Sequence, residues 1–181
     1  MPQSTDKLKR LISVATHLTS TLNLDELLEL IMRSAAELLE ARSGSLLLLD
    51  EDTDELVFRV ATAEPALVGQ RMPADQGVAG QSLSSGKPVL IADASADDRL
   101  YREVDEAMGI ATESLVAVPL VAKDKTLGVI EVMNKRSGPF TPEDEELAVA
   151  LASLAAIAID NANMYAALAD AVVTARMSYR F

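Results

Sequence analysis

Lys135 and Asp144 carry opposite charges nine residues apart, on either side of the turn-forming run Arg136-Ser137-Gly138-Pro139. The chemistry open to such a pair is electrostatic: an ammonium at a strand end can meet a carboxylate at a helix start and pin the two elements together. The residues around them serve the same end. Thr141 is of the N-cap type, Pro142 suits the first helical position, and Glu143 and Asp144 fall in the first turn. Phe140 precedes the cap and can staple onto that turn. Read structurally, the run is a brace between strand and helix. Read functionally, the brace also shapes the wall of a pocket.

Other reactive groups are few. The sequence has no Cys, which removes disulfides, thiolate catalysis, iron–sulfur clusters and thiolate zinc sites together. His17 is the single histidine and sits beside Leu18 in a helical pattern with no other ligands near it. It reads as a helix-surface residue rather than a haem or metal ligand. Arg59 shares strand parity with Ala61 and could reach an anion in a pocket, although a solvated strand arginine is the commoner case. No Ser–His–acid set is evident, so no catalytic residue, metal or cofactor is nominated.

These groups must be positioned by the surrounding elements. Leu8, Leu11, Ile12, Ala15 and Leu18 recur at helical spacing and predict a helix over about 5–22. Asn23, with Asp25 and Glu26 behind it, caps a second helix expected to run to about Ala41, ended by Ser43-Gly44. Residues 45–50 and 55–61 predict a hairpin around the polar run 50–54. Residues 77–83 suit a short helix and 88–91 a short strand. A loop over 92–99 then leads to a helix around Tyr101–Met108. Residues 114–121 and 126–133 give a second hairpin around Lys123-Asp124-Lys125. A last helix over about 141–178 outruns a domain of this size, so its far end should project or pair. Within it, Leu147–Ile159 is apolar but too short to span a membrane, and reads as buried or dimer-forming.

At 181 residues the chain predicts one domain. Apolar residues make up 49% and aromatics only 3%, so packing must rest on Leu, Val, Ile and Ala. The net charge of −12, with no compensating basic cluster, argues against nucleic acid and anionic lipid as partners. The N-terminus lacks a signal peptide's apolar run, which together with the absent cysteines leads to the expectation of a soluble, cytoplasmic protein.

Asn134-Lys135, four residues, Phe140, three residues and Asp144-Glu145 match the NKxnFx3DE signature of cyclic-nucleotide-binding GAF domains. Pro73-Ala74-Asp75-Gln76-Gly77-Val78-Ala79-Gly80 and Val118-Pro119-Leu120 also look like GAF segments in the right order. The sequence therefore resembles a GAF domain over roughly residues 8–162. The resemblance implies an α/β fold of GAF/PAS type. Its central antiparallel sheet would have terminal helices on one face and short helices covering a ligand pocket on the other. It also implies ligand positions: Ser45 on the first strand, the backbone of Val78 and Ala79 at a helix N-terminus, Asp105 and Thr112 in the covering segment, and the Glu131 carboxylate. Each has a plainer role as a buried strand hydroxyl, a solvated helix acid or a loop residue.

Two positions depart from that pattern. Ala61-Thr62 stands where those domains stack an aromatic on the purine, an interaction worth about 1–3 kcal/mol. Met108 replaces a small polar residue of the lid, though a Met could still cover a base face, and Tyr101 could stack instead from the lid. The resemblance implies a non-catalytic sensory domain that binds a small molecule such as cAMP or cGMP. It would signal to a protein partner through a homodimeric bundle of terminal helices. The alternative is a ligand-free dimerisation and interaction scaffold. Enzymatic and bilin-binding relatives rely on cysteine, which this chain lacks.

Overall fold

Asn23 starts the second helix by accepting the Glu26 amide through its side chain at 3.1 Å, with Asp25 and Glu26 facing the positive end of the helix dipole. The computed structural model describes residues 2–21, 23–95, 97, 98, 100 and 111–178. Helix α1 covers Pro2–Ser20 and α2 Leu24–Leu38. Strand β1 spans Ala41–Asp50 and β2 Glu55–Ala61, followed by a 3-10 turn at Pro65–Leu67 and β3 at Arg71–Pro73. Helix α3 (Gly77–Ser85) and β4 (Val89–Ile91) precede β5 (Leu115–Ala122), β6 (Lys125–Lys135) and α4 (Pro142–Ser178). The helix expected around Tyr101–Met108 lies outside the described residues.

The strands form one six-stranded antiparallel sheet in the order β3-β2-β1-β6-β5-β4. Alternation sends Leu46, Val118, Ile130 and Val132 to the face covered by α2 and α4, where they meet Leu27, Ile31, Leu151 and Ile159, while α1 packs on α2 and α4. Leu47, Ala117, Val129 and Met133 point to the opposite face, under α3. Both faces of the central strands are thus apolar. That is why β1 and β6 read as continuous hydrophobic runs rather than alternating ones.

The second helix is shorter than the sequence suggests. It ends at Leu38, and Glu40 at φ +53° turns the chain directly into β1. Ser43-Gly44 lies inside the strand, not at a helix end. Gly44 is needed there for closeness: a Cβ would come within 2.6 Å of the Met32 methyl and 2.8 Å of the Glu131 carbonyl oxygen. The β5–β6 hairpin turns through Lys123 and Asp124, both at positive φ (+50° and +63°), the twist that a two-residue connection favours.

Strand β2 carries an irregularity that alternation alone does not predict. Leu46 pairs with Val60 but Leu47 with Phe58, leaving Arg59 as an extra, unpaired residue. Phe58 and Ala61 face α3 while Val60 faces the helices. Arg59 is turned the same way as Val60, and its Nη2 donates to Asp25 of α2 at 3.1 Å. The expected shared parity of Arg59 and Ala61 is overturned by this bulge. Arg59 does not serve the pocket face.

Helix α4 is long and apolar enough to cross a membrane by length and composition, and 44% of its most apolar 18-residue window is buried within the fold. Its inner residues, among them Leu151, Ala155 and Ile159, belong to the helix-side core. From residue 163 to residue 178 every position is exposed.

Candidate ligand site and its link to the last helix

Three of the residues singled out by sequence lie in one row across the sheet. Ala61 on β2 pairs with Ser45 on β1, Ser45 pairs with Glu131 on β6, and Glu131 pairs with Ala117 on β5. Ala61 and Ala117 belong to the cluster under α3, and Ser45 and Glu131 share that face by alternation with Leu47 and with Val129 and Met133. Three of the four side chains are small, and Glu131 is the ionisable member of the row. Ala117 is the member sequence reading misses. An alanine in a buried apolar strand carries no signal until register places it beside Glu131.

Helix α3 lies over this face and contributes Val78 and Ala79, both buried, to the same cluster. Gly77 enters the helix at φ +67°, and Gln76 at the cap makes no side-chain bond to the first turn. The left-handed entry suits glycine. Thr112 is half-buried shortly before β5, and Asp105 lies outside the described residues. Thr62, next to Ala61, locks the strand end: its hydroxyl donates to the Gly44 carbonyl (3.2 Å) and accepts the Gly44 amide (2.9 Å).

Asn134 and Lys135 face two ways. Asn134 is buried at φ +59°, a left-handed conformation that asparagine tolerates better than most residues. Its Oδ1 accepts the amides of Glu113 (2.7 Å) and Ser114 (3.3 Å), and its Nδ2 donates to the Ala111 carbonyl (3.1 Å). The Ala94 amide donates to the Glu113 carbonyl at 2.8 Å, so the segment between Ala94 and Glu113 is closed at its base. The left-handed turn at Asn134 breaks strand alternation and delivers Lys135 to the opposite side.

There Lys135 Nζ donates to Asp144 Oδ2 at 2.6 Å, with the two side chains only 11% and 3% exposed. The same oxygen accepts the Thr141 amide (2.8 Å) and hydroxyl (3.1 Å), while the Asp144 amide donates back to Thr141 Oγ1 (3.3 Å). This is a reciprocal cap at the start of α4 with a lysine added to it. Burial pushes the Asp144 carboxyl up, but Lys135 and the two Thr141 donors outweigh it and hold the pKa below the usual carboxylate value. Phe140 is buried in the helix-side core. The residue one turn into α4 is the charged, half-buried Glu145, whose amide donates to Thr141 O (3.1 Å).

A concavity of about 640 Å³ opens beside α1, α2 and the start of β1. Arg10, Arg33, Arg42 and Arg136 line it together with Glu29, Glu37 and Glu40, and none of the residues singled out as ligand contacts does. Among the described residues no cluster of His, Cys, Asp and Glu is fit to hold a metal. His17 is exposed on α1, with Nδ1 3.2 Å from the Ser13 carbonyl oxygen.

Residues 21–160 match the GAF domain family. The probable 3′,5′-cyclic phosphodiesterase pde-5 of Caenorhabditis elegans is 27% identical over 169 residues, which cover 87% of this chain and 23% of that protein. The chain thus spans about a quarter of that curated relative's length. Among solved structures, the GAF domain of a phosphoenolpyruvate-protein phosphotransferase from Coxiella burnetii has a TM-score of 0.80 at 23% identity, covering 90% of this chain and 98% of that one. Free methionine-R-sulfoxide reductase from Neisseria meningitidis, solved with its substrate, has a TM-score of 0.74 at 19% identity, covering 88% and 91%. The shared fold therefore occurs in a protein that is itself named as an enzyme.

Proposed function

As this chain belongs to the GAF domain family, we propose that it is a non-catalytic sensory or regulatory domain whose small-molecule ligand sits over Ser45, Ala61, Ala117 and Glu131. Val78 and Ala79 of α3, Asp105 and Thr112 would complete the site from above. The observation that carries this reading is the adjacency of Asn134 and Lys135. One clamps the Ala111–Ser114 backbone at the entry to β5, the other holds the start of α4, and no residue separates them. A ligand that favours one arrangement of the covering segment over another thereby favours one placement of α4. Only such a difference in affinity can carry a signal. The output is a homodimeric helical bundle that engages a cytoplasmic signalling protein. The net charge of −12 disfavours nucleic acid and anionic lipid surfaces as partners in this scheme.

The likeness to a cyclic phosphodiesterase supports a cyclic nucleotide, cAMP or cGMP, as the first ligand to test. The Glu131 carboxylate suits an exocyclic or ring N–H of a base. A non-catalytic role is supported by the absence of any cysteine.

The test is a thermal-shift screen of the chain against cAMP, cGMP, other nucleotides and small carboxylates, repeated on Glu131→Gln. A ligand at a hundred times its dissociation constant adds about 2.7 kcal/mol. Stabilisation by one compound that Glu131→Gln abolishes is the expected result. A flat response to every class moves the protein to the second reading, a ligand-free dimerisation and interaction scaffold. That reading is favoured by Ala61-Thr62, which offers no aromatic face to a purine.

A further inference from the structure

The outward side of α4 is a seam with a single polar break. Leu154, Ile157, Asn161, Met164, Leu168 and Ala171 follow one another at alternating steps of three and four residues, the spacing of a two-helix contact. Ile157, Met164 and Leu168 are 52%, 48% and 63% exposed, whereas Leu151, Ala155 and Ile159 on the inner side are buried against the sheet. Beyond Leu154, which is half-buried against the helix-side core, the seam is therefore not the stripe that packs the domain.

The occupant that fits it is a second copy of this chain. Between residues 147 and 175 the helix has no Lys or Arg and two acids, Asp160 and Asp170. Asp160 pairs with Lys123 of the β5–β6 turn at 3.4 Å, which balances the ammonium that also lies 3.8 Å from the Met164 sulfur, and Asp170 falls off the seam. On a chain of net charge −12, this is a surface where two copies can approach without opposing like charges.

We propose that Asn161 fixes the register and the two-chain state of a parallel α4–α4 pairing. This rests on the dimeric reading above and adds the residue that specifies it. In a parallel, in-register pair the two Asn161 amides face each other and can bond across the seam. A slip of one heptad sets Asn161 against Leu154 or Leu168 and buries an unpaired amide. The apolar members of the seam carry no such preference.

The absence of cysteine lets one introduced thiol report one pairing. Leu168→Cys is expected to give a sedimenting dimer that oxidises efficiently to a disulfide-linked pair. Asn161→Leu in that background should replace the single dimer by a mixture that includes larger assemblies, with a loss of cross-linked dimer. Asn163→Leu, at a position that lines a small cleft with Leu48 and Ile159 of its own fold, should leave both readings unchanged. A single dimer with full cross-linking in Asn161→Leu overturns the role of Asn161 while leaving the dimer intact. A native chain that sediments as a monomer at high micromolar concentration overturns the dimer itself, and this proposal with it.

Discussion

Replacing Lys135 by Met tests the brace at its most costly point. The substitution keeps the length of the side chain but leaves the Asp144 carboxylate, 3% exposed, with only the two Thr141 donors. Removing one partner of a buried ion pair costs about 3–5 kcal/mol. Because the Thr141 bonds survive, the lower end applies, about 3 kcal/mol. At this chain length that is a fall in Tm of about 6–12 °C. The double variant Lys135→Met/Asp144→Leu removes the stranded charge and loses mainly the cap, about 1 kcal/mol, so it should be more stable than the single variant.

The pH dependence separates this account from a simple packing loss. Asp144 is held below its ordinary pKa, so its contribution to stability is present above the unfolded value and is lost as pH falls through the lower, folded value. In Lys135→Met, burial acts against two donors only and the folded pKa rises. The stability gap between native and variant chains, measured by urea unfolding followed by circular dichroism, should therefore be largest at neutral pH and narrow in acid. A gap below 0.5 kcal/mol, on the order of an ordinary surface substitution, or one that does not change with pH, refutes the reasoning.

Three further outcomes follow from the geometry. Asn134→Gly and Asn134→Ala both lose the bonds to Ala111, Glu113 and Ser114, so hydrogen exchange at the Glu113 and Ser114 amides should accelerate in both. The Ala variant should be the less stable by about 1 kcal/mol, because only glycine accepts φ +59° without strain. Gly44→Ala should destabilise by about 1–3 kcal/mol in chemical unfolding, since the added methyl meets the Glu131 carbonyl as well as the Met32 methyl. Arg59→Ala should change stability by less than about 1 kcal/mol, because its partner Asp25 is 85% exposed. A larger loss there would show that the β2 bulge itself depends on the pair.

Much of the fold is legible in the sequence where local chemistry and tertiary packing agree. Asn23 and Thr141 are cap residues in both readings, and the strand from Glu55 to Ala61 matches to the residue. Elements whose existence depends on a neighbour are harder to read. Strand β3 is three residues at the sheet edge, and Arg71 there is held by Asp50, Thr53 and Glu55, side chains that only folding brings together. Residues 41–44 look like a helix end because Ser and Gly usually mark one, whereas Gly44 is required by the close approach of Met32. At the candidate site, Ser45, Ala61 and Glu131 are legible through the family resemblance, and register places them in one row. The bulge at Arg59 has no sequence signature, and the motif that contains Asn134 does not reveal its partners, since both arise from pairings between distant strands and loops.

Lys123 reaches Asp160 where α4 leaves the sheet, and its ammonium also lies 3.8 Å from the Met164 sulfur. The tip of the β5–β6 hairpin thereby acts as a fulcrum under the helix. Beyond it, residues 165–178 extend about 21 Å as an unsupported lever. A tilt of about 5° at the fulcrum sweeps the free end through about 2 Å, the scale on which helix interfaces switch between packings. Because Lys123 and Lys135 grip α4 at separate heights, the span between them is stiff, and any motion the sheet imparts emerges amplified at the far end.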